Sequence, residues 1–528
     1  MKIRLQKGGA VIGSPRRVLD DFRSATEDRK GEWEQRLRQN PAAFRRVERE
    51  IKRHFDQGAD HLMAAVLARV TQGPEMEDHV RQVRQEAAVG LRSPQRRSRR
   101  IRLLSGLVLF VTTLYCPPKS ASQKRGDATE QPAGLFPELA ALGITNGSSP
   151  ALQATVARIV ALSPSIDVAR KELRRQGLKL DKKTVRRLAE QLGTQFLVWR
   201  QRELLAWREQ AALTPAGDEL AGCRVAVQID GGRVRVRENK KRQAAHEKGQ
   251  RRKFKTPWRE PKAVIIFVFD KQGKMVRRDR QPLIDGTLLG PDHLAELVAW
   301  HLHRLGAAKA EVVVFVSDGA RWIWDRLDEI IRRAGLEPSR TARVLDWCHA
   351  VQHLSRALES LKLNAPTRRA KFAELRGWLK QSRHAEVVAE LERLAAGRPE
   401  KDKVWTEIRY LRTHGEAGHL QYRTFRRRGL PCGSGAIEST IRRVINLRLK
   451  SNGMYWLGEN AEAVFALRAN LLSDRWEQML DAVHRTMSRD RRLTWHWQAS
   501  RFSPDATPDL TLNLPQPVNP EPVTHIST

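Results

Sequence analysis

Three β-branched runs constrain this 528-residue chain more than any other feature: RVAVQID at 224–230, KAVIIFVFD at 262–270 and EVVVFVSDG at 311–319. Short apolar runs bounded by turn chemistry, such as the Asp270-Lys-Gln-Gly stretch, read as strands of a well-covered sheet. GRVRVRE at 232–238 alternates basic and β-branched residues and reads as a further strand, and ARVLDW at 342–347 as a short one. Helical patterns follow Pro291 and Arg321, and 348–425 reads as helix throughout. The order is three strands, followed by alternating helix and strand.

That order is the one expected of an α/β, RNase H-like mixed sheet carrying an all-helical insertion. In such a sheet the first and fourth strands lie side by side, so Asp230 and Asp318 would emerge at neighbouring strand ends. Taken singly, each has an ordinary explanation, because Asp-Gly after a strand is a common turn signal. A third candidate, Glu438, lies where the Gly/Ser-rich turn of GLPCGSGAIESTIRRVINLRLKSNG opens an amphipathic helix. A first-turn Glu also suits the helix dipole with no chemistry at all. Three clustered carboxylates repel one another unless cations neutralise them, and magnesium prefers such oxygen ligands. Two ions about 4 Å apart can serve an in-line displacement at phosphorus.

Charge points to the substrate. Lys and Arg number 96 against 60 Asp and Glu, a formal net charge of +36 with pI near 10.9, so a polyanion is the leading partner. Between Gly231 and Lys262 stand thirteen Lys or Arg against three Glu, including Arg233, Arg235, Arg251 and Arg252. Arg442, Arg443, Arg448 and Lys450 follow Glu438. Charge runs are often only solvated faces; beside the candidate acids, phosphate contact is the reading adopted. Residues 163–193 suggest a helix-turn-helix: a helix from Ile166, a turn at Gly177, and a second helix capped by Asp181 and carrying Lys182, Lys183, Arg186 and Arg187. A plain helical hairpin would look the same. Leu103–Tyr115 is too short to cross a bilayer and reads as one or two strands. The start MKIRLQKGG lacks the apolar stretch of a secretory signal. Four scattered cysteines fit a reducing compartment, so a soluble cytoplasmic protein facing DNA or RNA is expected.

VQIDGGR, VSDGARWIW, LDWCHAVQHL and the block from Gly429 through NGMYW resemble the ISKra-type bacterial insertion-sequence transposases, related to the ISLre and Mutator-like groups. The resemblance spans roughly 150–475. It implies a DDE transposase with Asp230, Asp318 and Glu438 as the acidic triad, two magnesium ions (manganese can substitute), transposon-end and target DNA as partners, a homo-oligomer on paired ends, and a bacterial, nucleoid-associated location. Relatives often carry a Cys-x-x-Cys pair upstream of the helix-turn-helix, whereas this chain has Cys116-Pro-Pro-Lys119.

Asp346 and His349 resemble an auxiliary Asp-x-x-His element that could position the scissile phosphate; a buried His bonded to backbone is the alternative. His349 and His353 stand at helical spacing beside Cys348, but that cysteine points off their face and disfavours zinc. Trp456 could stack on a DNA base, or simply be core. The expected divisions are a basic helical 1–102, whose run RSPQRRSRRIR at 92–102 is either linker or phosphate contact, short strands and loop over 103–150, the helix-turn-helix at 151–200, the catalytic domain at 220–475, and a helix with a disordered Pro-rich tail at 476–528. A nuclease or resolvase that cuts without joining, and a DNA-binding protein with a dead triad, are the rival readings.

Overall fold

The computed structural model describes residues 1–489 except 8, 86–89, 120–133, 145–146, 211–216, 240–253, 279 and 452. The expected Pro-rich tail, Arg251 and Arg252 therefore lie outside the described residues. The chain divides into two compact units, one built chiefly from Met1–Trp199 and the other from Arg200–Trp476.

The first unit opens with β1 (Lys2–Arg4) and three helices, α1 (Pro15–Gln39), α2 (Phe44–Val70) and α3 (Pro74–Gln85). Two strands follow, β2 (Gln95–Arg102) and β3 (Val108–Tyr115), in an antiparallel sheet of order β1-β3-β2. This corrects the reading of 92–102 as a solvated linker, and it joins 1–102 to 103–150 in one sheet. A basic segment can be a strand here because β3 supplies a full ladder, from Gln95 opposite Tyr115 to Arg102 opposite Val108. Only Ile101 of β2 is buried. Arg97 lies 4.0 Å over the Tyr115 ring and Arg99 4.4 Å over Phe136. The charged strand also sits at the sheet edge, where charge discourages pairing with another chain.

Helices α4 (Pro137–Ala141), α5 (Pro150–Leu162) and α6 (Ile166–Arg175) follow, then the long α7 (Lys182–Gln210). Gly177 takes the left-handed conformation (φ 94°) and Leu178 N–H donates to Leu173 O, which stops α6. Asp181 accepts from Thr184 N–H and hydroxyl and starts α7. The two-helix element with its Gly turn is therefore present. Its second helix, however, runs 29 residues, well past the expected boundary at 200.

The second unit is built on a five-stranded mixed sheet. Its strands are β4 (Arg224–Gly231), β9 (Lys262–Val268), β10 (Leu283–Thr287), β11 (Val312–Ser317) and β12 (Thr341–Leu345). The order is β10-β9-β4-β11-β12; β9 runs antiparallel to both neighbours, while β4, β11 and β12 are parallel. β9 and β11 are buried along almost their whole length, as their apolar runs require. The third strand is LIDGT at 283–287, not GRVRVRE. That segment instead forms two short pieces, β5 (Val234–Arg235) and β6 (Glu238–Asn239), paired with β8 (Trp258–Arg259) and β7 (Phe254–Lys255) respectively. Period-2 arginines cannot enter a sheet covered on both faces, whereas all five residues of LIDGT are buried.

Helices α8 (Pro291–Arg304) and α9 (Arg321–Arg333) connect the later strands. An all-helical stretch follows β12, as expected: α10 (Trp347–Ser360), α11 (Ala365–Lys380), α12 (His384–Ala395), α13 (Lys403–Glu416) and α14 (Tyr422–Arg427). Then come α15 (Gly435–Ile441), which continues as a π-helical turn over Arg442–Asn446, and α16 (Gly458–Leu472). α15 packs on β4 and β9, and α16 on β10. The last described helix is α17 (Trp476–Arg489). Among the described residues, no helix is long and apolar enough to cross a membrane.

Four histidines of this unit are almost fully buried: His293, His301, His414 and His419. Burial holds the first three at about 4 and His419 at about 3. His414 and His419 also face each other Nδ1 to Nδ1 at 3.0 Å, a pairing that double protonation destroys. The unfolded chain takes up these protons near pH 6.5 and the folded one does not, so acid favours unfolding. Each histidine is expected to withdraw about 2 kcal/mol between pH 7 and 5. His349, raised by its bond to Asp346, and Asp230, pushed up to about 6 by burial, work in the opposite direction but are two groups against four. Thermal unfolding should therefore show a midpoint falling steeply over this range; a flat profile would contradict the neutral-histidine core.

Candidate active site

β4 and β11 run parallel, with Gln228 opposite Val316. Asp230, the penultimate residue of β4, and Asp318, the first residue beyond β11, thus leave the same edge of the sheet. Ser317 hydroxyl donates to Ile229 O at 3.2 Å and keeps the two strand ends in step. β12 runs parallel on the other side of β11 and delivers Asp346 to that edge, where its N–H donates to Ser317 O.

Glu438 arrives from a distant part of the chain. Its helix is pinned across the β4 end by Gln228, whose side-chain amide donates to Gly433 O (2.9 Å) and accepts from Ile437 N–H (3.1 Å). Asp346 holds the same turn by accepting from Ser434 N–H. Glu438 itself is exposed, with Ser434 hydroxyl 3.3 Å from its carboxylate. Gln228 is a residue that sequence reasoning missed. Its one signal is an amide inside an otherwise apolar strand, two residues before Asp230 and hence on the same face.

The glycines after the two aspartates do a different job from the one their Asp-Gly pattern suggests. None of Gly231, Gly232 and Gly319 has positive φ. They permit close approach: a Cβ on Gly232 would lie 2.5 Å from Ile445 of the π-helical turn, and one on Gly319 would run into the Tyr410 ring of α13. Tyr410 stacks on His353 at 3.6 Å between ring centroids, and His353 Nδ1 meets Glu407. The helical insertion thus buttresses the Asp318 turn, which is also tied by Trp324 Nε1 donating to Asp318 O (2.6 Å).

Electrostatics join the three acids. Burial pushes the Asp230 carboxyl up to about 6, aided by the negative charges of Asp318 and Glu438 and opposed by the Gly231 N–H and by His349. The His349 imidazole is raised chiefly by its hydrogen bond to Asp346, with Asp318 and Glu438 contributing. Asp346 is only 1% exposed; against the upward push of burial, bonds from His349 and Ser434 hold its carboxyl below the ordinary value. Its N-cap bond to His349 N–H (2.8 Å) and bond to Nδ1 (3.0 Å) leave Nε2 as the outward-facing nitrogen of His349. Asp346 is thus spent on its neighbours' N–H groups, and His349 faces the acids.

Among the described residues, no three His, Cys, Asp or Glu side chains form a preassembled metal group. The triad carboxylates stand within electrostatic reach of one another without converging on one point. Their donor chemistry nonetheless fits a hard divalent cation: all are oxygen ligands, and the charge of Asp230 is disfavoured until a cation offsets burial and its two neighbours. Cys348 is exposed, and His353 is taken up by Glu407 and Tyr410.

The basic residues divide by environment. Lys183, Arg186 and Arg187 are exposed on α7, while Lys182 bonds Asp167 at 2.7 Å. Arg233, Arg235, Arg442 and Lys450 are exposed, and Arg443 is half-buried. Arg448, expected to meet phosphate, is instead 1% exposed, with its guanidinium 5.0 Å over the Trp456 ring. Trp456 packs on the core and donates Nε1–H to Leu449 O, which makes it structural rather than a base-stacking surface.

The chain matches no protein-family model, no curated protein and no solved structure.

Proposed function

We propose that this chain is an insertion-sequence DNA transposase whose RNase H-like unit cleaves and joins DNA through Asp230, Asp318 and Glu438. The observation carrying this reading is the placement of those acids. Two leave adjacent parallel strands in the middle of the β10-β9-β4-β11-β12 sheet, and the third is brought over them on a helix that Gln228 and Asp346 fasten to the same edge. Their resemblance to the DDE motif of the ISKra-type enzymes supports the same assignment.

Asp230, Asp318 and Glu438 would hold magnesium, which when bound activates the attacking oxygen and stabilises the leaving one. His349, oriented by Asp346, turns a donor toward the acids and can bind a non-bridging phosphate oxygen. Water cleaves the phosphodiester at the element's end, leaving a 3′-hydroxyl. That hydroxyl then attacks a target phosphodiester, forming one P–O bond as another breaks. The α6–α7 pair is read as a helix-turn-helix that recognises terminal inverted repeats through Lys183, Arg186 and Arg187. Two ends brought together call for at least a dimer, acting on DNA in the bacterial cytoplasm.

The test is strand transfer. DNA flanking the gene supplies inverted-repeat ends, which are labelled, pre-cut to a 3′-hydroxyl and incubated with the full chain, magnesium and a target plasmid. Label joined to the target is the expected result. Magnesium-dependent cutting with no joined product makes the protein a nuclease or resolvase and overturns the proposal.

A further inference from the structure

Immediately beyond Asp230 the β4–β9 hairpin continues as a surface ribbon with a regular side-chain alternation. Arg233 and Arg235 are exposed and Arg237 is half-buried, whereas Val234 and Val236 point into the core. A third segment joins on the other side: Trp456 N–H donates to Arg235 O (3.0 Å) and Arg237 N–H to Trp456 O (2.6 Å). With Trp456 directed to the core, its neighbours Tyr455 and Leu457 face outward, 46% and 44% exposed.

The outer face so formed interleaves cations with aromatic rings. Trp258, 47% exposed, stands opposite Arg235, whose guanidinium lies 4.8 Å over its ring; the Lys450 ammonium is 5.8 Å away. Arg237 covers Phe254 at 4.3 Å, and Phe254 packs against Tyr455 at 5.0 Å. Among the described residues no carboxylate pairs with Arg233, Arg235, Arg237 or Lys450, so their charge is left without a counter-ion from the protein. Large aromatic faces are a poor surface for water and for a duplex, which keeps its base faces stacked inside. They suit unstacked bases, each of which presents a π-face, while the flanking cations suit the phosphates between them. Arginines on alternate residues recur about every 6.7 Å along a strand, a repeat that an extended polynucleotide backbone can follow.

We propose that this ribbon binds unpaired DNA beside the cutting site, with bases stacked on Trp258 and Tyr455 and phosphates held by Arg233, Arg235, Arg237 and Lys450. The proposal rests on the reading of the chain as a DNA-processing enzyme and adds that the strand is held single next to Asp230. Its consequence is a preference for frayed or unpaired nucleotides at the cleaved end.

The test measures binding in chelator, where no cleavage occurs, using the full chain at one fixed salt concentration. The fluorescence anisotropy of a labelled oligothymidylate is compared with that of a duplex of equal length. Trp258→Ala and Tyr455→Ala are each expected to weaken single-strand binding about 5- to 150-fold while leaving duplex binding within about twofold, and Trp258→Phe should restore most of the loss. Circular dichroism checks that each variant is folded. Equal weakening of single strand and duplex, or no weakening of either, overturns the proposal. So does unchanged DNA binding with a shifted oligomeric state in light scattering, which would make the face a contact between copies. Single-strand binding that survives in a chain unable to join ends would leave the ribbon standing and remove the transposase reading, so the two failures are distinguishable.

Discussion

Replacing Glu438 with glutamine is expected to lower magnesium-dependent cleavage and joining on the order of a thousandfold while leaving the thermal unfolding of the protein unchanged. Both halves follow from where the side chain stands. Glu438 is exposed in the first turn of α15, and its helix is fastened by Gln228 and Asp346 rather than by its own carboxylate. Glutamine keeps the size, the polarity and a partner for the Ser434 hydroxyl. What it loses is one negative charge facing Asp230. Loss of a ligand charge that stabilises the transferring phosphoryl group is a matter of several kcal/mol in the barrier, and each 1.4 kcal/mol is tenfold in rate. A purely structural or dipole role for Glu438 predicts the reverse pattern, a small loss of stability with cleavage intact. Gel-resolved cleavage rates beside a melting curve separate the two; undiminished cleavage by the variant would falsify the triad.

How much of this was legible beforehand depended on whether a residue's neighbours were close in sequence or in periodicity. β4, β9 and β11 announced themselves because a strand covered on both faces has to be apolar throughout. The adjacency of β4 and β11 followed from the strand order, and with it the shared edge of Asp230 and Asp318. LIDGT did not announce itself. Its aspartate and glycine disguise a strand, and Asp285 is tolerated there only because partners from elsewhere in the chain meet it. GRVRVRE misled for the opposite reason: its period-2 pattern is real, but it describes a ribbon with one wet face and not a strand in the central sheet. The basic run at 95–102 became a strand through β3, a partner whose effect no composition count registers. Arg448 looked like its exposed neighbours Arg442 and Lys450, yet the turn that ends the π-helical segment takes it inward against Trp456. Gln228 and the Tyr410 buttress depend on contacts with residues far along the chain, and no local pattern encodes those.

The same long-range logic gives the largest expected stability effect, at Arg200. This residue of α7 is 1% exposed and enters the β10 side of the sheet unit, where it donates to Asp285 (2.7 Å), to Gly286 O (3.1 Å) and to Glu462 of α16 (2.9 Å). Asp285 and Glu462 are as deeply buried. Asp285 also accepts from Gly286 N–H and meets His301 Nε2 at 2.8 Å, while Glu462 accepts from Leu288 N–H. Although burial opposes it, the charge of Arg200 holds the Asp285 carboxyl well below its ordinary range; burial leaves Glu462 raised. Arg200→Met keeps much of the side-chain volume but strips from two enclosed carboxylates the guanidinium that bonds both. Breaking a buried pair in this way costs about 3–5 kcal/mol, which for a unit of this size lowers the unfolding midpoint by roughly 10 °C. The cost arises from the abandoned charges and not from the lost contacts, and that distinction can be measured. In an Asp285→Asn, Glu462→Gln background the same Arg200→Met change should cost much less, because no buried anion is left without a cation. Equal penalties in the two backgrounds, read from paired thermal melts, would mean that Arg200 contributes packing alone and that the charge network does not fasten α16 to the sheet.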